Sequence, residues 1–438
     1  MWSSEYFGRK RSIQIGCVIS IVGATIMTAS TGVGMFIASR FIMGFGIGVL
    51  VTLVPLYQSE VSPPESRGLM VGLHGVLIGF SYCLTGFITY GCYFAPYGQF
   101  QWRFPLAVQL IPTLILLVGS FWLPFSPRWL LSQGRSEQAW KVTQKLHANK
   151  KDPEDHFAHA EYNQMQAQID FERQHNAVGT LAQAKLAFSQ KSFLKRLGLG
   201  FLVQFGNQCT GALVINNYNT ILFSGLGITG GTPLLLLGFF NLLTVPGNLF
   251  NGLFVDRFGR RRFVITGCIG IIICLSGEAA ITAQFVETGS TNRVGLGFGV
   301  AFIFTYVVFY SSCLDATIFP MVIRSFGMSW SIMGQFIATV ILLEAAPTAF
   351  ANIGYKFWVI LICLTFIYGL LVYFFLPETK GMTLEDISVL FGDPVELSFE
   401  QALSKQEHGD EAVMTLGDKD ISPELVEHAV GSRARQLA

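Results

Sequence analysis

The sequence predicts an all-α membrane protein of two pseudo-symmetric helical bundles, with about ten membrane-crossing helices arranged as four plus six. Three observations carry that expectation. Of 438 residues, 51% are hydrophobic and only 13% charged, with a mean hydropathy of +0.49, too apolar for a soluble globular chain. Ten apolar runs are long enough to cross roughly 30 Å of hydrocarbon as helices. A charged cluster also recurs halfway along: Ser4-Glu5-Tyr6-Phe7-Gly8-Arg9-Lys10-Arg11 returns as Val255-Asp256-Arg257-Phe258-Gly259-Arg260-Arg261-Arg262. In each copy an acid stands three positions before a glycine that three cations follow.

The runs cover residues 13–30, 35–57, 69–92 and 104–123, then 197–219, 233–255, 263–285, 294–320, 327–347 and 357–376. They divide the chain into a first bundle of four spans (1–124), a polar linker (125–196), a second bundle of six spans (197–376) and a tail (377–438). Within the linker, residues 137–147 and 158–174 read as amphipathic helices on the membrane surface, either a solvated connection or a brace for the inner gate. The tail starts with an amphipathic run at 384–391 and then turns acidic and polar, a composition expected to be mostly disordered. Glycines 44, 46 and 48 sit together in the second span, as small residues do where helices approach closely in lipid.

The two copies stand 251 positions apart, from Arg9 to Arg260, and other marks keep nearly that interval. Pro63 and Arg67 recur as Pro320 and Arg324, and Pro124 recurs as Pro377. About 60 residues with two apolar runs precede the second copy, and only four residues precede Glu5. The leading bundle is therefore expected to lack its first two helices. Cations are retained on the cytoplasmic side of membranes. With the N-terminus inside, only Arg103, Arg293 and Lys356 fall outside and Arg40 falls within a span, so both termini are expected to be cytoplasmic.

Composition excludes several functions. The net charge of +1 argues against nucleic acid as a partner. Of eight cysteines, only Cys92 approaches the outer face, and no CxxC or Cys/His spacing occurs, so they are expected to be small apolar packers. There is no nucleophile-base arrangement, phosphate loop or metal spacing, so the sequence predicts a non-enzyme with no cofactor and no metal.

Two bundles related by a repeat, joined by a polar linker, with cations at equivalent inner ends, describe a transporter whose bundles rock about a site between them. The repeated clusters fit a latch. Glu5 with Arg9 and Lys10, and Asp256 with Arg260 and Arg261, sit where helices meet water and can exchange charge partners as the bundles tilt. Such pairs are weak singly, but several acting together bias a two-state equilibrium by a few kcal/mol. Each cluster taken alone is equally a topology anchor.

Several motifs stand in order along the chain. They are Arg40 with Gly44, Gly46 and Gly48; Pro55-Leu56-Tyr57-Gln58-Ser59-Glu60, then Arg67-Gly68; Pro124-Phe125-Ser126-Pro127-Arg128-Trp129-Leu130; Asp256-Arg257-Phe258-Gly259-Arg260-Arg261; and Pro377-Glu378-Thr379-Lys380-Gly381. On these residues the chain resembles a sugar porter of the major facilitator superfamily, most of all the fungal monosaccharide and disaccharide permeases. The resemblance implies that superfamily's fold, alternating access, and a polyol-like substrate held midway through the membrane. It also implies gating charges at Glu5, Arg9, Arg40, Glu60, Arg67, Arg128, Asp256, Arg260, Arg261, Arg324 and Glu378.

For the substrate site, the family's pattern on the first helix of the second half falls here on Asn207, Gln208, Gly211, Leu213, Asn217 and Tyr218, so a sugar-binding asparagine has become leucine. A glutamine expected in the third span falls at Gly75, beside His74; an asparagine falls at Thr244, a tryptophan at Ser312 and a glutamate at Thr317. Losing one amide from a dry pocket removes roughly 1 to 3 kcal/mol of discrimination. Substrate identity therefore does not carry over. Gln208, Asn216, Asn217, Asn241, Thr244, Asn248, Asn251, Ser311, Ser312 and Gln335 are many polar side chains for apolar helices, where each either joins helices or meets the substrate. Asn207, Gln208, Thr244 and Gln335 are the foremost contact candidates, with Asn217, Tyr218, Ser312 and His74 beside them.

Arg40 needs a counter-charge or a wet cavity. In proton-coupled members its match faces an aspartate on the first helix, whereas the membrane acids here are Glu278, Asp315 and Glu344. The expected function is transport of a sugar or polyol across the plasma membrane by alternating access, with a proton as the possible second partner and lipid as the surround. The alternatives are a nutrient sensor without turnover and a shortened, inactive porter.

Overall fold

The computed structural model describes residues 2–62, 67–147, 155–174, 191–289, 292–315 and 325–378. Pro63, Thr317, Pro320, Arg324, the motif residues after Glu378 and the tail, including the run 384–391, lie outside the described residues.

A glycine sets the first turn. Gly8 (φ 84°, ψ 162°) separates α1 (Trp2–Tyr6) from α2 (Arg9–Thr28) in a conformation that a Cβ would oppose. α3 (Val33–Val61) lies against α2 along a seam of small residues: Gly16, Ser20 and Gly23 face Met43, Gly46 and Leu50. In lipid such close backbone approach, rather than exclusion of water, is what holds helices together. α4 (Arg67–Tyr93) follows, then α5 (Phe100–Val108) and α6 (Leu110–Gly119). The last two share the expected run 104–123. Their break has a local cause, because Pro112 has no N–H to offer the carbonyl of Val108.

Among the described residues the linker forms three helices. In α7 (Pro127–Ser132), Ser126 is the N-cap, its hydroxyl accepting from the Trp129 amide at 3.4 Å. α8 (Ser136–His147) and α9 (His156–Gln174) stand where the amphipathic pattern places them. With α7 they bury Trp129, Leu130, Leu131, Ala139 and Met165, and Trp140 lies 4.0 Å from the His159 ring.

The second half begins with a broken helix. α10 (Lys191–Cys209) and α11 (Ala212–Gly225) divide the expected span 197–219, and Gly211 (φ 89°, ψ 10°) turns the chain between them. α12 (Thr232–Phe258) and α13 (Arg260–Ile281) follow, with α13 continued by a π-helical turn, Thr282–Val286. α14 (Arg293–Tyr310) runs into a second π-helical turn, Ser311–Asp315; α15 (Ser325–Ile353) and α16 (Lys356–Phe375) complete the bundle. Among the described residues nine helical segments are long and apolar enough to cross a membrane, and the difference from the expected ten is the broken α10–α11 pair. Ile215, Phe223, Ile271, Leu275, Leu314, Trp358 and Leu361 form the centre of the second bundle, and Ile13, Cys17, Leu53, Leu56 and Tyr57 form a smaller one in the first. All eight cysteines are free thiols, seven buried and Cys363 exposed.

The halves meet most extensively along α4 and α12. Tyr93 lies at Gly231, Gly86 at Gly238, Gly79 at Thr244, and the Gly75 carbonyl accepts from Asn248. Residue numbers rise along one helix as they fall along the other, so the pair is antiparallel. The start of α4 and the end of α12 therefore share one face of the molecule. Glu60, at the end of α3, holds Arg9 on that face, and Arg260 follows α12 there, so the two copies of the repeat lie on the same side.

Candidate binding site and gate

The two copies of the charged repeat build matching helix starts. Gly259 (φ 93°, ψ 142°) precedes α13 in nearly the conformation of Gly8 before α2, and each helix then opens on an arginine. A distant glutamate meets each start. Glu60 Oε1 accepts from Arg9 Nη2 at 2.9 Å and Nε at 3.2 Å, and its Oε2 accepts from the Ser126 hydroxyl at 2.6 Å. Glu378 accepts from the backbone amides of Arg260 at 3.0 Å and Arg261 at 3.3 Å. A carboxylate there neutralises the positive end of the helix dipole.

The partners differ from those the repeat suggests. Arg9 pairs with Glu60, 51 positions on, rather than with the acid of its own cluster, because the end of α3 lies beside the start of α2. Glu5 lends its backbone carbonyl to Trp129 Nε1 at 2.9 Å, and Trp129 also underlies Gly8, which locks the linker to the latch. Lys10 donates to the Phe121 carbonyl, and the Arg261 guanidinium donates to that of Tyr373. Arg128 is half-buried and engaged. Arg67 starts α4, but its side chain and that of Asp256 lie outside the described residues. Arg40 is exposed, its guanidinium 5.0 Å from the centre of the Phe36 ring, and no described acid pairs with it.

A second polar group lies inside the membrane at the broken helix. Because α10 ends at Cys209, Asn207 and Gln208 occupy its last turn, 4% and 3% exposed. Tyr306 donates to the freed carbonyl of Thr210 at 3.1 Å, and Asn207 Nδ2 donates to the Tyr310 hydroxyl at 3.3 Å. The two tyrosines, one turn apart on α14, hold the break from the side. The buried amide oxygens Asn207 Oδ1, Gln208 Oε1, Asn241 Oδ1 and Gln335 Oε1, like those of Asn219 and Asn248, accept no hydrogen bond from any described residue. An unpaired buried acceptor costs about 1 to 3 kcal/mol, so these atoms favour hydroxyl donors.

The other candidates divide. Thr244 sits against Gly79 at the seam between the halves, its hydroxyl turned to the Asn241 carbonyl at 2.7 Å. Tyr218 reaches across to the Leu343 carbonyl at 3.0 Å and so joins α11 to α15. Asn217 is exposed and bonded to its own helix at the Leu213 carbonyl. The Ser312 carbonyl accepts from Asn251 at 3.0 Å, and His74 is half-buried beside Gly75. The structure adds Tyr310 to the site, through its bond with Asn207, while Asp315 and the Gly75 carbonyl lie outside it, both bonded to Asn248 at the seam; of these only Asp315 carries a sequence signal, an acid inside an apolar span.

The family model for "Sugar (and other) transporter" matches residues 1–391. The chain belongs to that family. This transporter is 32% identical over 397 residues to the MFS-type transporter criB of Aspergillus cristatus, a match spanning 89% of the chain and 80% of the relative. It is 30% identical over 409 residues to a probable quinate permease of Aspergillus oryzae (88% and 75%), and 32% identical over 416 residues to a quinate permease of Neurospora africana (89% and 76%). Its fold matches that of the proton:xylose symporter XylE bound to 6-bromo-6-deoxy-D-glucose, with a TM-score of 0.74 over 89% of this chain and 85% of that one, at 23% identity. The major facilitator superfamily fold expected from the motifs is thus the observed one. The transporter is an integral membrane protein, and its relatives are permeases rather than enzymes.

Proposed function

We propose that this transporter carries a hydroxyl-rich ring compound, a sugar, a polyol or a polyol acid such as quinate, by alternating access. One observation carries the reading: the buried amide oxygens of Asn207, Gln208, Asn241 and Gln335 lack donors among the described residues, the first two in the last turn of α10 at its break, Asn241 one turn from Thr244 at the seam, and Gln335 on α15, which packs along α10. Ring hydroxyls supply those donors. The names of the quinate permeases support quinate as the first probe. The latches at Arg9–Glu60 and at Glu378 close the face that bears both repeats, which we assign to the cytoplasm of a plasma-membrane protein together with both termini.

The test is uptake of labelled quinate, xylose and linear polyols by cells that express the chain. Saturable uptake of at least one is expected. Asn207→Ala and Gln208→Ala should each raise the half-saturation concentration about 5- to 150-fold, the equivalent of roughly 1 to 3 kcal/mol. Unchanged saturation in both variants would remove these amides from the site, and no uptake of any probe would contradict the reading.

A further inference from the structure

Asp315 occupies the last position of the π-helical turn that ends α14, inside the membrane. No described arginine or lysine pairs with it. Its hydrogen-bond partner is Asn248 of α12, whose Nδ2 donates to Asp315 Oδ2 at 2.9 Å. The same nitrogen donates to the Gly75 carbonyl of α4, also at 2.9 Å. Asn248 is fully buried, and its Oδ1 accepts nothing from the described residues. One amide nitrogen thus ties a carboxylate of the second half to the backbone of the first.

The surroundings connect this carboxylate to the candidate site. Tyr310 of α14 and Tyr82 of α4 lie within range of its charge, and the Tyr310 hydroxyl accepts from Asn207. His74 precedes Gly75 on α4, Cys313 shares the π-helical turn, and Cys268 of α13 lies near Cys313. None of these groups carries a fixed positive charge, so none of them pins the carboxylate in its ionised form.

Resting on the transport reading, we propose that Asp315 is the proton-carrying carboxylate of this transporter. Ionised, it accepts from Asn248 and strengthens the tie between the halves. When a proton from one aqueous side binds a carboxylate oxygen, the group becomes a donor, competes for acceptors with the Asn248 amide, and loosens that tie. The proton leaves to the other side once the halves have tilted. A ligand shifts a two-state equilibrium only through differential affinity, and here the proton has it because Asn248 contacts both halves.

The experiment uses the full chain in liposomes with labelled quinate. Wild type is expected to exchange quinate at equilibrium and to accumulate it when a pH gradient is imposed. Asp315→Asn should keep exchange within about twofold and lose accumulation, since exchange needs no net proton movement. Should Asp315→Asn fail to purify as a folded protein, Asp315→Glu carries the test, with accumulation retained and its pH midpoint moved. Accumulation by Asp315→Asn, an unmoved midpoint in Asp315→Glu, or wild-type exchange without proton-driven accumulation would each overturn the role while leaving the transporter reading intact. Absence of wild-type exchange, with xylose and linear polyols also tried, would instead defeat the transport reading and this role together.

Discussion

Gly46→Val is expected to prevent stable assembly of the first bundle. A Cβ at Gly46 would stand 2.4 Å from Ser20 Oγ, 2.7 Å from the Ser20 amide nitrogen and 2.8 Å from the Gly16 carbonyl oxygen. Two of those atoms are backbone, so no rotamer change relieves the overlap, and α2 must move away from α3. One turn along, a Cβ at Gly23 would meet the Met43 amide nitrogen at 2.5 Å, which shows that the whole seam is at backbone contact. Overpacking in a core costs about 1 to 3 kcal/mol, and a clash with fixed backbone belongs at or above the upper end. Gly44→Val is the control, because nothing lies within 4 Å of a Cβ there, and it should cost less than about 0.5 kcal/mol. Thermal unfolding of the two variants in the same detergent separates the cases; equal losses would show that the seam is not the determinant.

Glu60→Gln should have the largest effect on transport without removing the fold. The Glu60 side chain is 6% exposed and that of Arg9 is 12% exposed, and one carboxylate holds the arginine and the Ser126 hydroxyl together. Glutamine keeps the shape but leaves the guanidinium without its counter-charge, a loss of about 2 to 3 kcal/mol for a pair this far from water. If the pair forms in one orientation of the halves and parts in the other, that loss falls on one state alone and changes their ratio by at least tenfold. Initial uptake rates should fall by a comparable factor, with protein yield near that of wild type. A rate equal to wild type would make the cluster an anchor for topology rather than a latch.

Much of this architecture is legible in the residues because membranes impose simple rules. Apolar runs must be helices, and the repeated acid, glycine and arginines mark helix starts, as the paired conformations of Gly8 and Gly259 show. The break between α10 and α11 is hidden for the opposite reason. The run 197–219 has the length of one uninterrupted span, and glycine is common in membrane helices, so nothing local distinguishes Gly211 from Gly206, which stays helical. Partner choice is also a tertiary matter. Arg9 has Glu5 nearby in sequence, yet Glu60 meets it because α3 returns alongside α2. Asn248 reads as one more polar residue in a span until the antiparallel seam sets it against Gly75 and Asp315.

Spin-label distances on the two faces test most directly the claim that the halves rock about a site between them. One pair joins Gln133 to Phe258 on the face bearing the arginine repeats, and the other joins Tyr97 to Val294 on the opposite face; all four side chains are exposed, and Gln133 caps the end of the short helix α7. On addition of a transported solute, the distance on one face should lengthen as the other shortens. Distances that stay fixed with solute bound, or that change in the same sense on both faces, would contradict it.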